Sequence, residues 1–209
     1  MLNFSNISYD ATDHGKKKNE IYDVYYDWQE SKTKLNLTEM KFIIAGQTKF
    51  NTDYLPKKIN NILQNLPINS ILDYGAGLGR NLPLLLKFTN NIDYIDLLNY
   101  KEKFEKTIND LEYKNKYYIN DNLPDMLLDN KYDLIYASVV FQHIVDNDIY
   151  EQIIKILSEK TTYLVILQNF GIPIKEKIIN SYFDLIDRAD DVDTFKHSKH
   201  ISLLYKSKL

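Results

Sequence analysis

Apolar side chains recur at helical spacing in the first third of the chain. A first stripe, spaced i, i+3, i+4 and i+7, consists of Ile21, Val24, Tyr25 and Trp28. A second stripe consists of Leu55, Ile59, Ile62, Leu63 and Leu66. Pro56 is compatible with the first turn of that second helix. We therefore predict two helices before the first strand, preceded by a polar arm of about fifteen residues that shows no periodicity.

From Ser70 onward the pattern changes to short apolar runs that alternate with helical stretches. The predicted strands are 70–74, 92–97, 116–120, 132–137 and 161–168. The predicted helices between them are 80–87, 101–112, 123–128 and 146–158. This alternation is typical of a parallel sheet with helices packed on both faces.

The end of the chain departs from the alternation. A predicted helix at 174–181 leads into an apolar segment at 182–188, and another apolar segment follows at 201–206. The polar loop between these two segments is too short for a helical crossover, so we predict an antiparallel hairpin. The 209 residues contain no repeat or linker, which favours one domain.

The amino-acid composition excludes some reaction types and argues against some classes of binding partner. The absence of cysteine excludes disulfides, thiolate metal ligands and thiolate nucleophiles. A net charge of −3 argues against a protein that binds nucleic acid by neutralising phosphates. The start of the chain lacks a secretory pattern, and the uncharged stretch 134–145 is too short to cross a bilayer. We expect a cytoplasmic protein without membrane contact.

The informative motif is the segment 71–81, in which an apolar strand runs into Gly75, Gly77 and Gly79 and then into a helix. Such a turn lets a ligand approach bare backbone and unpaired helix amides. A dinucleotide-dependent dehydrogenase has its third glycine at the position occupied here by Arg80. Asp73, two residues before the first glycine, suits an ammonium group better than a pyrophosphate.

This segment resembles the first motif of the class I S-adenosylmethionine-dependent methyltransferases, with two apolar residues, an acid, one residue and Gly-x-Gly-x-Gly. Asp96, at the end of the second predicted strand, stands where that family has the acid that binds the ribose hydroxyls. Asp121 and Asn122 resemble the pair beside the adenine. Segments 132–138 and 141–144 resemble the fourth strand and the segment after it in the small-molecule branch. Residues 1–50 are not covered.

The resemblance implies an α/β, Rossmann-like fold with a mostly parallel seven-stranded sheet, helices on both faces, a C-terminal antiparallel hairpin and an N-terminal helical extension. It implies one domain over 1–209, with an arm and helices at 1–67 and a cofactor-binding core at 68–209. It also implies S-adenosylmethionine as cofactor, S-adenosylhomocysteine as product and no metal. Separately, we expect a bacterial source. The implied cofactor-binding residues are Asp73, Gly75, Gly77, Gly79, Asp96, Leu97, Asp121, Asn122 and Ser138.

The sequence excludes several classes of methyl acceptor. Carbon-5 methylation of pyrimidines needs a cysteine. Methylation of exocyclic base amines resembles a family with Asp/Asn-Pro-Pro-Tyr after the fourth strand, where this chain has 138–141 as Ser-Val-Val-Phe. Ser138 also replaces the acid of metal-dependent catechol-type enzymes. We predict transfer to an oxygen or nitrogen of a small metabolite, such as a sugar, a nucleotide-activated precursor or a secondary metabolite.

Three other functions stay open at this point. The chain could be a non-catalytic S-adenosylmethionine-binding protein or partner subunit, a methyltransferase acting on protein or RNA, or a nicotinamide-dependent oxidoreductase. The sequence makes no prediction of oligomeric state.

Three of the four histidines are candidate bases or ligands. His143 follows the fourth predicted strand and is the candidate general base, because imidazole titrates near working pH. A purely structural role in packing or capping explains it equally well. His197 and His200 are expected to be solvated loop residues rather than a metal pair.

The two arginines and the N-terminal aromatic residues have structural explanations as well as functional ones. Arg80 could pair with an acid near the glycine turn or hold an anionic group, and Arg188 is expected to form a cross-strand pair. An aromatic set could form a lid over the cofactor and acceptor, or simply pack an added helix. Its members are Tyr22, Tyr25, Tyr26 and Trp28.

Overall fold

The computed structural model describes residues 55–76, 81–96, 116–119, 130–144, 146–169, 172–195 and 198–209. Its helices are α1 (Lys57–Gln64), α2 (Leu82–Leu85), α3 (Asn147–Lys160) and α4 (Glu176–Tyr182), and a 3-10 turn spans Phe141–His143. Its strands are β1 (Ile71–Tyr74), β2 (Ile92–Asp96), β3 (Lys116–Ile119), β4 (Tyr132–Ser138), β5 (Thr161–Asn169), β6 (Phe183–Phe195) and β7 (Ser198–Ser207).

The strands form one seven-stranded sheet in the order β3-β2-β1-β4-β5-β7-β6. Neighbours among β1 to β5 pair in parallel. Strand β7 pairs antiparallel with both β5 and β6. The predicted mostly parallel sheet with a C-terminal hairpin is confirmed, and each of the first five strands differs from its predicted range by one residue.

The hairpin is longer than predicted. Strands β6 and β7 continue through polar residues that the sequence pattern assigned to a loop, and register shifts interrupt their pairing. Backbone hydrogen bonds between strands do not depend on side-chain polarity, so a polar hairpin can extend well beyond its apolar part. His200 consequently lies within β7, opposite Asn169 and Val192, and its expected loop position is wrong.

Residues that follow each other along a strand pack on opposite faces of the sheet. Leu72, Ile135 and Leu164 belong to one buried cluster, which also contains Ile154 of α3 and Ile179 of α4. The second cluster contains their strand neighbours Ile71, Leu134 and Val165, together with residues of α1 and α2. This period of two, buried on both sides, explains the near-continuous apolar strands and places helices on both faces.

The helices differ more from their predicted ranges than the strands. Helix α1 buries Ile59 and Leu63, as its stripe predicted. It begins after Pro56, so Leu55 is buried but lies before the helix. Helix α2 spans four residues, whereas 80–87 was predicted. The predicted N-terminal helix and the helices at 101–112 and 123–128 lie outside the described residues. The division into an arm at 1–67 and a core at 68–209 stays a prediction, as does the cytoplasmic location.

Long apolar helices of the kind that cross a bilayer do not occur in the described parts of the chain.

Asp146 caps helix α3, which begins directly after the segment that follows β4. Its Oδ1 accepts hydrogen bonds from the backbone N–H groups of Asp148 (2.8 Å) and Ile149 (3.1 Å). Asp146→Ala removes this cap, and we expect it to lower the free energy of unfolding by about 1 kcal/mol. Urea denaturation measures the change. Asn147→Ala, at the exposed next position, is the control, and an equal loss in both variants would contradict the role of the cap.

Candidate functional site

The site lies at the carboxyl ends of the central strands. Strands β1 and β4 are neighbours, with Tyr74 opposite Ala137, although they are far apart along the chain. On one side of this pair the sheet continues to β2 and β3, and on the other side it continues to β5. The strand order therefore reverses between β1 and β4, and ligands of open α/β sheets bind in the crevice outside such a reversal.

The turn after β1 passes very close to the segment after β4. Gly75 has φ +78°, and a Cβ atom there would lie 2.2 Å from Cγ2 of Val140. The backbone N–H groups of Gly75 and Ala76 both donate to the carbonyl of Ile95, at 2.8 Å and 3.0 Å. The turn is thus tied to β2, and only glycine satisfies both its backbone conformation and its close contact.

The segment after β4 is held in an unusual conformation. Val139 has φ +61°, a region that β-branched residues rarely adopt, at a cost of about 1–3 kcal/mol. Its backbone N–H donates to the carbonyl of Leu167 in β5 at 2.7 Å. This strained residue turns the chain away from β4 and into the 3-10 turn.

Aromatic contacts fix the 3-10 turn against the end of β1. The ring of Phe141 stacks on Tyr74, with 5.7 Å between ring centroids. It also contacts the ring of Tyr150 in α3, with centroids 5.4 Å apart. Because Phe141 is buried, the backbone up to His143 is positioned by packing on two other elements. The structure describes His143 by its backbone alone.

Asp73 and Asn81 form a buried pair across the glycine turn. Nδ2 of Asn81 donates to both carboxylate oxygens of Asp73, at 3.0 Å and 3.3 Å. Both side chains are almost completely buried, with exposed fractions of 0% and 1%. The carbonyl of Asn81 also accepts from the backbone N–H groups of Leu84 and Leu85. Asn81 thereby connects the end of β1 to helix α2.

Four of the nine predicted cofactor-binding residues lie at this edge of the sheet. Asp73 and Gly75 are at the end of β1, and Asp96 and Ser138 are the last residues of β2 and β4. Ser138 is buried. The remaining five are outside the described residues, namely Gly77, Gly79, Leu97, Asp121 and Asn122. The same is true of Arg80, of His197 and of the N-terminal aromatic set.

Asn81, Val139 and Gln168 contribute to the site and were missed by the sequence analysis. Gln168, near the end of β5, donates from Nε2 to the carbonyls of Ile172 (3.0 Å) and Pro173 (3.2 Å). These bonds hold Ile172 and Pro173 near the end of β5. Asn81 directly follows the glycine motif in sequence, whereas neither Val139 nor Gln168 belongs to a recognisable motif.

Lys175 brings a cation to the same part of the molecule. Its Nζ lies 4.9 Å from the ring centroid of Tyr150. Burial lowers the pKa of Lys175, and the carboxylate of Asp146 opposes that shift. Within the described residues, no group of three or more metal-ligating side chains is arranged to hold an ion.

The expected cross-strand pair of Arg188 is wrong. Its Nη1 contacts Oε1 of Glu176 in α4 at 2.6 Å, and its Nε contacts Asp190, two residues along the same strand, at 2.8 Å. The residue opposite Arg188 on β7 is Leu203, which has no charge. The arginine therefore ties α4 to β6.

The residues present fit a ligand that carries an ammonium group. Oδ1 of Asn81 is buried and has no hydrogen-bond partner among the described residues. Nδ2 of the same amide donates to the Asp73 carboxylate. Two hydrogen-bond acceptors, the Asn81 Oδ1 and the Asp73 carboxylate, therefore lie close together at the end of β1. Buried acceptors require donors, and an ammonium group supplies three N–H bonds and a compensating charge.

Comparison with known proteins identifies the family. The family model described as AdoMet dependent proline di-methyltransferase matches residues 38–209. A search of curated protein sequences finds no significant match.

Solved structures show the same fold at low sequence identity. Magnesium protoporphyrin IX methyltransferase (ChlM) from Synechocystis PCC 6803, with bound SAM, has a TM-score of 0.62 and 15% identity, over 94% of this chain and 100% of that one. TehB from Haemophilus influenzae has a TM-score of 0.59 and 15% identity, over 81% and 67%. N-methyltransferase NodS from Bradyrhizobium japonicum WM9, in complex with S-adenosyl-L-homocysteine, has a TM-score of 0.56 and 12% identity, over 83% and 98%.

The family match covers most of the chain, and the fold shared with solved methyltransferase structures agrees with it. The chain therefore belongs to the AdoMet-dependent proline di-methyltransferase family and is an S-adenosylmethionine-dependent methyltransferase with the class I fold.

Proposed function

We propose that the protein transfers methyl groups from S-adenosylmethionine to the nitrogen of a proline whose amine is free. The observation that carries this proposal is the match of the proline di-methyltransferase family over residues 38–209. It favours nitrogen over the oxygen acceptors that the sequence left open. A proline nitrogen has a reactive lone pair only when it is not part of a peptide bond, so the acceptor is free proline or a proline at the start of a peptide.

The acceptor amine sets what the chain's own residues must do. A secondary amine is protonated at neutral pH, so a base must remove one proton before the nitrogen can attack. When bound, the cofactor supplies a methyl group on a positively charged sulfur, which leaves as a neutral thioether. A new C–N bond forms, and a second round on the resulting tertiary amine yields a quaternary ammonium without an N–H proton. Two deprotonations are therefore needed for two transfers.

We assign the roles at the site as follows. His143 removes the proton from the acceptor amine. Asp73 and the turn containing Gly75, Gly77 and Gly79 hold the amino-acid end of the cofactor. The other contacts are made by Asp96 and Leu97 to the ribose, by Asp121 and Asn122 to the adenine, and by Ser138 at the end of β4. Alignment of acceptor and methyl group supplies most of the acceleration, because the leaving group is already good.

The test is a methylation assay with two acceptors, L-proline and a synthetic peptide that begins with proline. Mass spectrometry should detect products that carry one and then two methyl groups on nitrogen. N-acetylproline and a peptide that begins with alanine are the matched controls. Methylation of the alanine peptide as well would extend the acceptor to terminal amines in general. Cofactor binding without any product from either acceptor would contradict the proposal and favour a non-catalytic binding protein.

A further inference from the structure

Asn81 stands outside the residues that the methyltransferase resemblance assigns to cofactor binding, yet it is buried at the centre of the site. Its amide nitrogen faces Asp73, and Nδ2 donates to both carboxylate oxygens at 3.0 Å and 3.3 Å. This orientation pairs an N–H donor with a group that offers two acceptor oxygens. Oδ1 is consequently directed away from the carboxylate.

The oxygen of the same amide lacks a hydrogen-bond donor among the described residues. Oδ1 of Asn81 is buried and has no hydrogen-bond partner within the described parts of the chain. Leaving a buried amide oxygen without a donor costs about 1–3 kcal/mol. A side chain exposed by only 1% cannot recover this cost from bulk water. A donor that arrives with the ligand would remove the penalty.

The location of Asn81 indicates which part of the ligand this donor belongs to. Asn81 lies where the glycine turn after β1 leads into α2, and its amide bridges to the carboxylate two residues before Gly75. A cation is favoured beside Asp73, and a donor is needed by Oδ1 of Asn81. A primary ammonium meets both requirements with one group, whereas a ribose hydroxyl or an adenine amine carries no charge.

We infer that Asn81 is a positioning residue for the amino-acid end of the cofactor. Its Nδ2 holds the carboxylate of Asp73 in place, and its Oδ1 accepts a hydrogen bond from the cofactor ammonium. The inference rests on the use of S-adenosylmethionine and not on the identity of the methyl acceptor. A binding measurement therefore tests it even if proline proves to be the wrong acceptor.

The experiment measures binding of two ligands by calorimetry. One ligand is S-adenosylhomocysteine, and the other is its deaminated analogue, which lacks only the amino group. For Asn81→Leu we expect affinity for S-adenosylhomocysteine to fall by about 10- to 100-fold, the value of a hydrogen bond to a charged group. Affinity for the deaminated analogue should stay within about threefold of the wild-type value.

Asn60→Leu is the matched control, because Oδ1 of Asn60 is also buried without a partner among the described residues but lies in α1. It should leave both affinities unchanged. The inference would be overturned if Asn81→Leu lowered the affinities for both ligands equally, or if it left the affinity for S-adenosylhomocysteine unchanged.

Removal of the Asn81 amide from beside Asp73 could also prevent folding. In that event the wild-type protein provides the decisive measurement. Removal of the ligand amino group should weaken its binding by at least about tenfold. Equal affinity of the wild-type protein for the two ligands would refute the role of Oδ1 as an acceptor.

Discussion

His143→Ala is expected to lower kcat by about two to four orders of magnitude, the usual contribution of a general base. The 3-10 turn that ends at His143 follows β4 and packs through Phe141 on Tyr74, the last residue of β1. This places the His143 backbone beside the strand ends at which we propose the cofactor site. Affinity for S-adenosylmethionine should change by less than about threefold, because the proposed role concerns the acceptor proton. Single-turnover kinetics and calorimetry measure the two quantities separately.

The pH profile provides an independent test of His143. A base must be unprotonated to act, so kcat/KM of the wild-type protein should fall at low pH as the base takes up a proton. The alanine variant should lose that limb and keep only the dependence that comes from the acceptor amine. Added imidazole should restore part of the rate.

His200→Ala is the matched control for His143. His200 lies in β7 opposite Asn169, the last residue of β5, and so belongs to the same edge of the sheet. We expect His200→Ala to retain turnover. Unchanged turnover in His143→Ala would leave that residue a structural role in the turn, and a loss confined to His200→Ala would move the base to β7.

Gly75→Ala is expected to have the second large effect, on both stability and cofactor binding. The new Cβ would lie 2.2 Å from Cγ2 of Val140, and φ at this position is +78°. Overpacking costs about 1–3 kcal/mol, and the left-handed conformation costs an L residue about 1–2 kcal/mol more. We expect the free energy of unfolding to fall by about 2–5 kcal/mol, which urea denaturation can measure. Cofactor affinity should fall in parallel because the turn must shift.

A double variant separates the two causes. Val140→Ala removes the two Cγ atoms that the new Cβ would meet and keeps the Cβ of residue 140 at 3.3 Å. It leaves the backbone of residue 75 in the same conformation. Gly75→Ala combined with Val140→Ala should therefore recover the steric part of the loss and retain the conformational part. The recovery appears as non-additivity of about 1–2 kcal/mol relative to the single variants. Strict additivity, or a fully stable Gly75→Ala, would show that the turn adapts freely.

The strands were predictable because their signal is local. The first five strands are short runs of mostly apolar residues, and burial of β1 and β4 on both faces requires most of their positions to be apolar. The glycine motif was predictable for the same reason, since Gly75 must satisfy a turn within a few residues. The hairpin was predicted only in its apolar part, because the remaining pairing of β6 and β7 depends on backbone bonds that leave no hydrophobic pattern.

Contacts between elements were not predictable from one sequence. The interactions of Arg188 with Glu176 and Asp190 depend on where α4 lies against β6. Valine rarely adopts the left-handed backbone conformation that Val139 has. The conformation is stabilised by the hydrogen bond to Leu167 and by the surrounding packing. No sequence pattern predicted the ion pairs of Arg188 or the backbone conformation of Val139.

The sequence by itself determined the order of the elements, the two-faced sheet, the glycine turn and the resemblance to class I methyltransferases. These follow from hydrophobic periodicity and from local conformations that few residue types can adopt. Tertiary structure alone decided that Asn81 holds Asp73, that Val140 occupies the space beside Gly75 and that Phe141 fixes the turn leading to His143. Each of these contacts joins segments that the fold brings together, and pairwise packing across such distances has no period along the chain.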